Sequence, residues 1–176
     1  WIIMFSSRMS LVKATATAAF LVFTGSMVPV TWLGNLRNGP TIEDTYLRLK
    51  EVIGYLIDQK VLPIIVGGLH DMTIGQYLGY EAFDKLVTLL NIDAKLDLNE
   101  NDDAPNSFLG RIFKHDPNYL FNYIHLGYQT YFVDEKELAM LERLYFEAYR
   151  LGEFKSNIEG LEPIIRDADI LTFDIS

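Results

Sequence analysis

Three stretches of this sequence place metal-ligating or proton-transferring side chains at the end of an apolar run. The run 61–66 ends in Gly67-Gly68-Leu69-His70-Asp71. The run 86–92 ends in Asp93-Ala94-Lys95-Leu96-Asp97, and the run 170–175 carries Asp174 just before Ser176. One imidazole and three carboxylates, from His70, Asp93, Asp97 and Asp174, make an oxygen-rich donor set suited to manganese or a similar divalent ion. The chain has no cysteine, which excludes disulfides, thiolate catalysis and Cys-based zinc sites. Each piece also has a plainer reading. Gly67-Gly68 can be a tight turn, His70 a hydrogen-bonded surface residue, and Asp93 and Asp97 turn or cap residues. Asp174 resists that reading, because it interrupts an apolar strand and a buried charge needs a partner.

The elements that must position these residues follow from periodicity. Thr41 can cap a helix whose first turn holds Glu43 and Asp44. Leu49, Val52, Ile53, Leu56 and Ile57 then recur at helical spacing, and the helix ends near Gln59-Lys60. The run 61–66 suits a strand buried on both faces, although Pro63 argues against a central position. A helix over 73–84 and a buried strand over 86–92 repeat the unit. Residues 99–106 form an acidic polar loop, and the aromatic-rich stretch 119–131 holds a strand around 123–128. Leu138, Leu141, Leu144, Tyr145 and Ala148 predict one helix over 135–149. A shorter helix over 156–165 precedes a last strand over 170–175. This alternation predicts an α/β fold with a mainly parallel sheet and helices on both faces, without repeats or an internal linker. Sites in such sheets form beyond the carboxyl ends of the strands, where all three polar clusters fall.

The bulk numbers fit one globular domain: 176 residues, 49% hydrophobic and 22% charged. A formal net charge of -9 disfavours nucleic acid as a partner. Residues 11–33 are mostly apolar behind Arg8 and Lys13, and 14–23 after Met9 and Lys13 resembles a signal peptide. Thr15, Thr17, Thr24 and Ser26 dilute that run and no Ala-x-Ala follows, so the expectation is a cytoplasmic protein without a membrane segment. The chain stops inside an expected strand, which suggests a piece of a longer domain.

Taken together, strand-Gly-Gly-x-His, strand-Asp-x-x-x-Asp and strand-Asp resemble the arginase, agmatinase and formimidoylglutamase family, the ureohydrolases. NLRNGPTIEDTYLRLKEVI, PNYLFNYIHLGYQTYFVD and EPIIRDADILTFDIS resemble the formimidoylglutamase-like branch in particular. The resemblance covers residues 33–176 and leaves 1–32 poorly matched. It implies the N-terminal and central part of a three-layer α/β/α domain, cut short at its C-terminus. It also implies two manganese ions bridged by a hydroxide that attacks a guanidinium or amidine carbon.

Carried over position by position, the resemblance puts one metal on His70, Asp93, Asp97 and Asp174. The second metal of the family uses a His and an Asp where this chain has Lys95 and Ser176. The family's His-Gly in the following loop has no counterpart, since no His lies between Asp97 and Gly110. The expected cofactor is therefore manganese, one ion rather than two, or none if the site has decayed. Lys95 is expected either to stand beside Asp93 and Asp174 as a permanent cation replacing the second ion, or to point to solvent from a decayed site. Asp102 and Asp103 are expected to border the site mouth and attract a cationic amidine, or simply to solvate a loop. Three readings compete. The first is a metal-dependent hydrolase of a small amidine or guanidino substrate, as a monomer or a homo-oligomer. The second is a catalytically impaired member of the fold with a binding or structural role. The third is a nucleotide-binding domain with Gly67-Gly68 at phosphate and Asp93 at ribose, which lacks the third glycine of that fingerprint.

Overall fold

In a computed structural model the backbone is described for residues 3–6 and 19–23, and the chain in full for residues 32–96, 98 and 108–174. Strands β1 (Ile3–Ser6) and β2 (Ala19–Phe23) precede helix α1 (Ile42–Asp58) and strand β3 (Leu62–Val66). A 3-10 turn, His70–Met72, leads into α2 (Thr73–Glu81), and β4 follows (Val87–Ile92). Next come α3 (Phe108–Lys114), β5 (Leu120–Tyr128), α4 (Glu135–Arg143) and β6 (Glu147–Arg150). The last elements are α5 (Leu151–Ser156), α6 (Ile158–Asp167) and β7 (Ile170–Asp174).

The seven strands form one sheet in the order β2-β3-β1-β7-β4-β5-β6. All neighbours run parallel except β2 against β3. Strand alternation makes the three layers. Leu89, Tyr123 and Ile170 point into a core shared with α1, α2, α3 and α4, whereas Leu90, Ile124 and Leu171 point into one shared with α6 and flanked by α5. On the first face α1 and α2 pack closely over glycine. A Cβ at Gly79 would fall 2.5 Å from Ile53 Cγ2. Among the described residues no helix is long and apolar enough to cross a membrane.

The start of α1 follows from its sequence. Thr41 Oγ1 accepts from Asp44 N–H while the Asp44 carboxylate accepts from Thr41 N–H, a reciprocal capping box. Pro63 sits inside the sheet after all. It faces Val22 of antiparallel β2, and the pairing of β3 with β1 begins one residue later, at Ile64.

The single helix expected over 135–149 is corrected by the fold. Helix α4 stops at Arg143, and Phe146 N–H closes it by donating to Leu141 O at 2.9 Å. Tyr145 turns to φ +59 and is 92% exposed, although helical spacing had placed it on the buried side. Residues 147–150 then pair with β5, because its free edge offers ladder hydrogen bonds that local helical spacing cannot report. The helix expected over 156–165 is α6, which starts and ends two residues later, and α5 before it was not anticipated. The β5 strand begins three residues before the expected 123, and α3 was not anticipated.

Candidate metal centre

His70 reaches the sheet edge through the turn that the glycines allow. Gly67 and Gly68 hold φ +98 and +84, a region that L side chains rarely occupy. A Cβ on Gly68 would also meet Met72 Cγ at 2.9 Å. The turn drops His70 over the carboxyl ends of β7 and β4. Its Nδ1 lies 3.3 Å from Asp93 Oδ2 and 3.8 Å from Asp174 Oδ2. One donor atom from each of the three residues lies within 4.8 Å of the others.

The ring of His70 is oriented from behind. Its Nε2 is 2.9 Å from Thr172 Oγ1, which in turn is 3.1 Å from Thr73 Oγ1. The Thr172 hydroxyl can serve either tautomer: donating to Nε2, it leaves Nδ1–H for Asp93, and accepting from Nε2–H, it leaves the Nδ1 lone pair for an ion. A metal-binding His usually donates its other N–H in this way. The donor set therefore fits a divalent ion: one imidazole nitrogen and two carboxylates, oriented and mostly buried. Asp93 is 6% exposed. Burial opposes its ionisation, yet the His70 hydrogen bond and the Lys95 backbone N–H hold its pKa below the ordinary carboxylate value.

A second set of polar residues, absent from the sequence reading, supports Asp93. His125 is fully buried on β5, and its Nε2 lies 2.9 Å from the Asp93 carbonyl oxygen. A carbonyl only accepts, so Nε2 carries the hydrogen and Nδ1 accepts from Tyr123 Oη at 2.9 Å. Asn91 Nδ2 donates to the same Tyr123 oxygen at 3.2 Å. Burial lowers the His125 pKa to about 4, which keeps the ring neutral in this role. The clue was one of parity. Asn91 and Thr172 each stand two residues before an acid of the cluster, on the same strand face, and Asn91 pairs in register with both His125 and Thr172.

Asp71 anchors the turn on its other side. Tyr46 Oη donates to Asp71 Oδ2 at 2.5 Å, tying the turn to α1, while Arg111 lies 5.1 Å over the Tyr46 ring. Burial raises the pKa of both Asp71 and Tyr46.

The structure thus brings His70, Asp93 and Asp174 together, while Asp97, Asp102, Asp103 and Ser176 lie outside the described residues. Lys95 does not take the first of its two expected places, beside Asp93 and Asp174. Its ammonium lies over the Phe132 ring, 6.0 Å from the centroid, and among the described residues it forms no ion pair with a carboxylate. The backbone explains this: Lys95 N–H caps Asp93 Oδ1, and the side chain leaves toward the loop after β5.

A three-layer α/β fold with an imidazole–carboxylate cluster at the carboxyl edge of a parallel sheet defines the class. The family model of the arginase family matches residues 7–176, and the chain belongs to that family. A formimidoylglutamase from Geobacillus kaustophilus is 34% identical over 148 residues, which cover 75% of this chain and 44% of that protein. One from Lysinibacillus sphaericus is 25% identical over 131 residues, 72% of this chain and 40% of that protein. Among solved structures, Trypanosoma cruzi formiminoglutamase with Mn2+ superposes with a TM-score of 0.68 at 15% identity, covering 78% of this chain and 50% of that one. Formimidoylglutamase from Bacillus subtilis gives 0.61 at 13% identity, covering 77% and 46%. These structural likenesses concern the fold. The chain spans 40% of the length of the Lysinibacillus relative and 44% of that from Geobacillus kaustophilus.

Proposed function

We propose that this chain carries the metal-binding part of a hydrolase that cleaves a C–N bond in a linear amidine, of the formimidoylglutamase type. The observation that carries the reading is the convergence of His70, Asp93 and Asp174, in a member of the arginase family whose relatives carry that name. The proposed ion is manganese, as in the Trypanosoma cruzi neighbour, held by these three residues with Asp97 as a fourth ligand. When bound, such an ion acts as a Lewis acid that makes water nucleophilic near neutral pH and offsets charge developing at the attacked carbon. The residues of the chain do the rest. Thr172 and Thr73 fix the His70 ring, and His125 and Lys95 N–H fix Asp93 from two sides. Holding the ligands rigid in this way keeps the donor atoms directed at one point.

The test is metal analysis of the intact protein, followed by incubation with N-formimidoyl-L-glutamate, agmatine and arginine. Formamide from the first is the expected product. A manganese-loaded protein that releases neither formamide nor urea from any of them would remove the hydrolase reading. The second reading would then stand, a family member retained for binding. It is favoured by Lys95 and Ser176, which replace a His and an Asp of the family pattern.

A further inference from the structure

Behind the His70 cluster, between α2 and the sheet, two buried amides keep atoms without a partner among the described residues: Gln76 at both Oε1 and Nε2, and Asn91 at Oδ1. Both residues are fully buried. In native folds a buried amide atom left unpaired by protein is uncommon, and internal water is a usual partner for it.

Both amides neighbour the hydroxyls that support His70. On α2, Thr73 reaches Thr172 Oγ1 and Tyr80 donates to the Asp169 carbonyl, so this face of the helix lies over β7 and the residue before it. Gln76 is one turn from each of them on the same face, which puts it between those two contacts. Asn91 on β4 stands in register with Thr172 on β7. Residues one helical turn apart have Cβ atoms about 5–6 Å apart, and adjacent strands are about 4.8 Å apart. Two hydrogen bonds of about 2.8 Å, meeting at one water, span such gaps.

The amide of Asn91 has a fixed sense. The Asp93 carbonyl holds the His125 hydrogen on Nε2, so His125 Nδ1 accepts from Tyr123, and the Tyr123 oxygen accepts from Asn91 Nδ2. Asn91 Oδ1 therefore stands as an acceptor beside Thr172. The two threonine hydroxyls have no such fixed sense, since either can donate to the other.

We propose that Gln76 and Asn91 hold an internal water against the Thr73–Thr172 pair, and that this water sets the direction of the hydrogen bonds reaching His70. The water accepts from a threonine hydroxyl and donates to Asn91 Oδ1 and Gln76 Oε1. With acceptors at the far end, the hydroxyl hydrogens point away from His70, and Thr172 accepts from His70 Nε2–H. The Nδ1 lone pair is then left for the ion. Gln76 and Asn91 are positioning residues that act through Thr172. The proposal rests on the metal-centre reading and deepens it: a polarity fixed at the Asp93 carbonyl is carried round to the imidazole ligand.

The test is a double-mutant cycle on the intact protein, Gln76→Met with Thr172→Val, read by manganese titration, beside a crystal structure of the unmodified protein. Thr172→Val is expected to weaken manganese binding by about tenfold, and Gln76→Met by about threefold or more. The double variant should bind no more weakly than Thr172→Val alone, because Gln76 acts through that hydroxyl. Gln76→Glu, which keeps an acceptor oxygen whether or not it is protonated, should recover most of the affinity. The crystal structure should show a water within about 3 Å of the Gln76 amide and of a threonine hydroxyl. A Gln76 amide paired with protein instead of water, additive losses in the cycle, or unchanged manganese affinity in folded Gln76→Met overturns the proposal and leaves the metal centre in place. An unmodified protein that binds no manganese removes the metal-centre reading, and this role with it.

Discussion

The carboxyl edge of the sheet has two halves that handle charge in opposite ways. At β7 and β4 the charged groups are buried and tied into hydrogen bonds: Asp93 with His70, His70 with Thr172, the Asp93 carbonyl with His125. At β5 and β6 the charged groups are exposed cations, with one guanidinium steadied by Thr130. The difference shows what each half can do. Buried carboxylates that face one another repel unless a cation joins them, so that half is built around a positive centre. Exposed cations keep their hydration, so the other half needs no internal partner.

The largest expected effect breaks the buried half. Asp174→Asn, or Asp93→Asn, should lower manganese affinity by more than about a hundredfold, beyond the loss typical of a residue that only supports a ligand. Manganese titration of the intact protein measures it. Retained affinity in both variants would mean that the cluster is not the metal site.

The next test sharpens the boundary between the halves, at Lys95. Restoring the family pattern with Lys95→His together with Ser176→Asp should raise bound manganese from at most one ion to two, with faster hydrolysis. Two ions already present in the unmodified protein would refute the loss of the second position. Lys95→Met alone should leave metal content unchanged, because the ammonium sits over Phe132 rather than against the acids.

His125→Leu probes the support behind Asp93. It leaves the Asp93 carbonyl and the Tyr123 hydroxyl without their shared partner, at a cost of about 1–3 kcal/mol. Thermal unfolding and manganese titration should both shift, the latter by about tenfold. Unchanged metal affinity alongside lowered stability would reduce His125 to a packing residue.

The smallest effect lies away from the edge, where α1 meets α2. Glu81 pairs with Lys50 and His115, and the Lys50 hydrogen bond lowers its pKa below 4.5. A lowered carboxylate pKa contributes stability that is full above 4.5 and lost as pH falls through the folded value. Urea unfolding between pH 6 and pH 3 should show Glu81→Gln converging on the unmodified protein at the acid end. The gap near pH 6 should be about 0.5 kcal/mol, since the pair is partly exposed. A gap that widens with acid would contradict the assignment.

Much of the fold was legible in the residues because it rests on local rules. The Thr41 cap, the apolar face of α1, the Gly67-Gly68 turn and the apolar runs of β3, β4 and β7 each declare themselves over a few residues. Strand β6 did not, because Leu141, Leu144 and Tyr145 fit a helical face and only the free edge of β5 turns Glu147–Arg150 into a strand. The site divides along the same line. His70, Asp93 and Asp174 were readable as ligands by type and by their place at strand ends. His125 and Thr172 were not, since their value comes from register: Asn91 stands opposite both, and that pairing crosses 34 residues on one side and 81 on the other. The direction of Lys95 was likewise decided in three dimensions, where its backbone N–H was taken by Asp93 and its side chain by Phe132. Sequence alone determined which residues had the chemistry for a metal and which end of the sheet would present them, because donor type and strand polarity are local properties. Tertiary structure alone decided which buried groups hold those donors in place and which cations remain unpaired, because both depend on contacts between segments far apart in the chain.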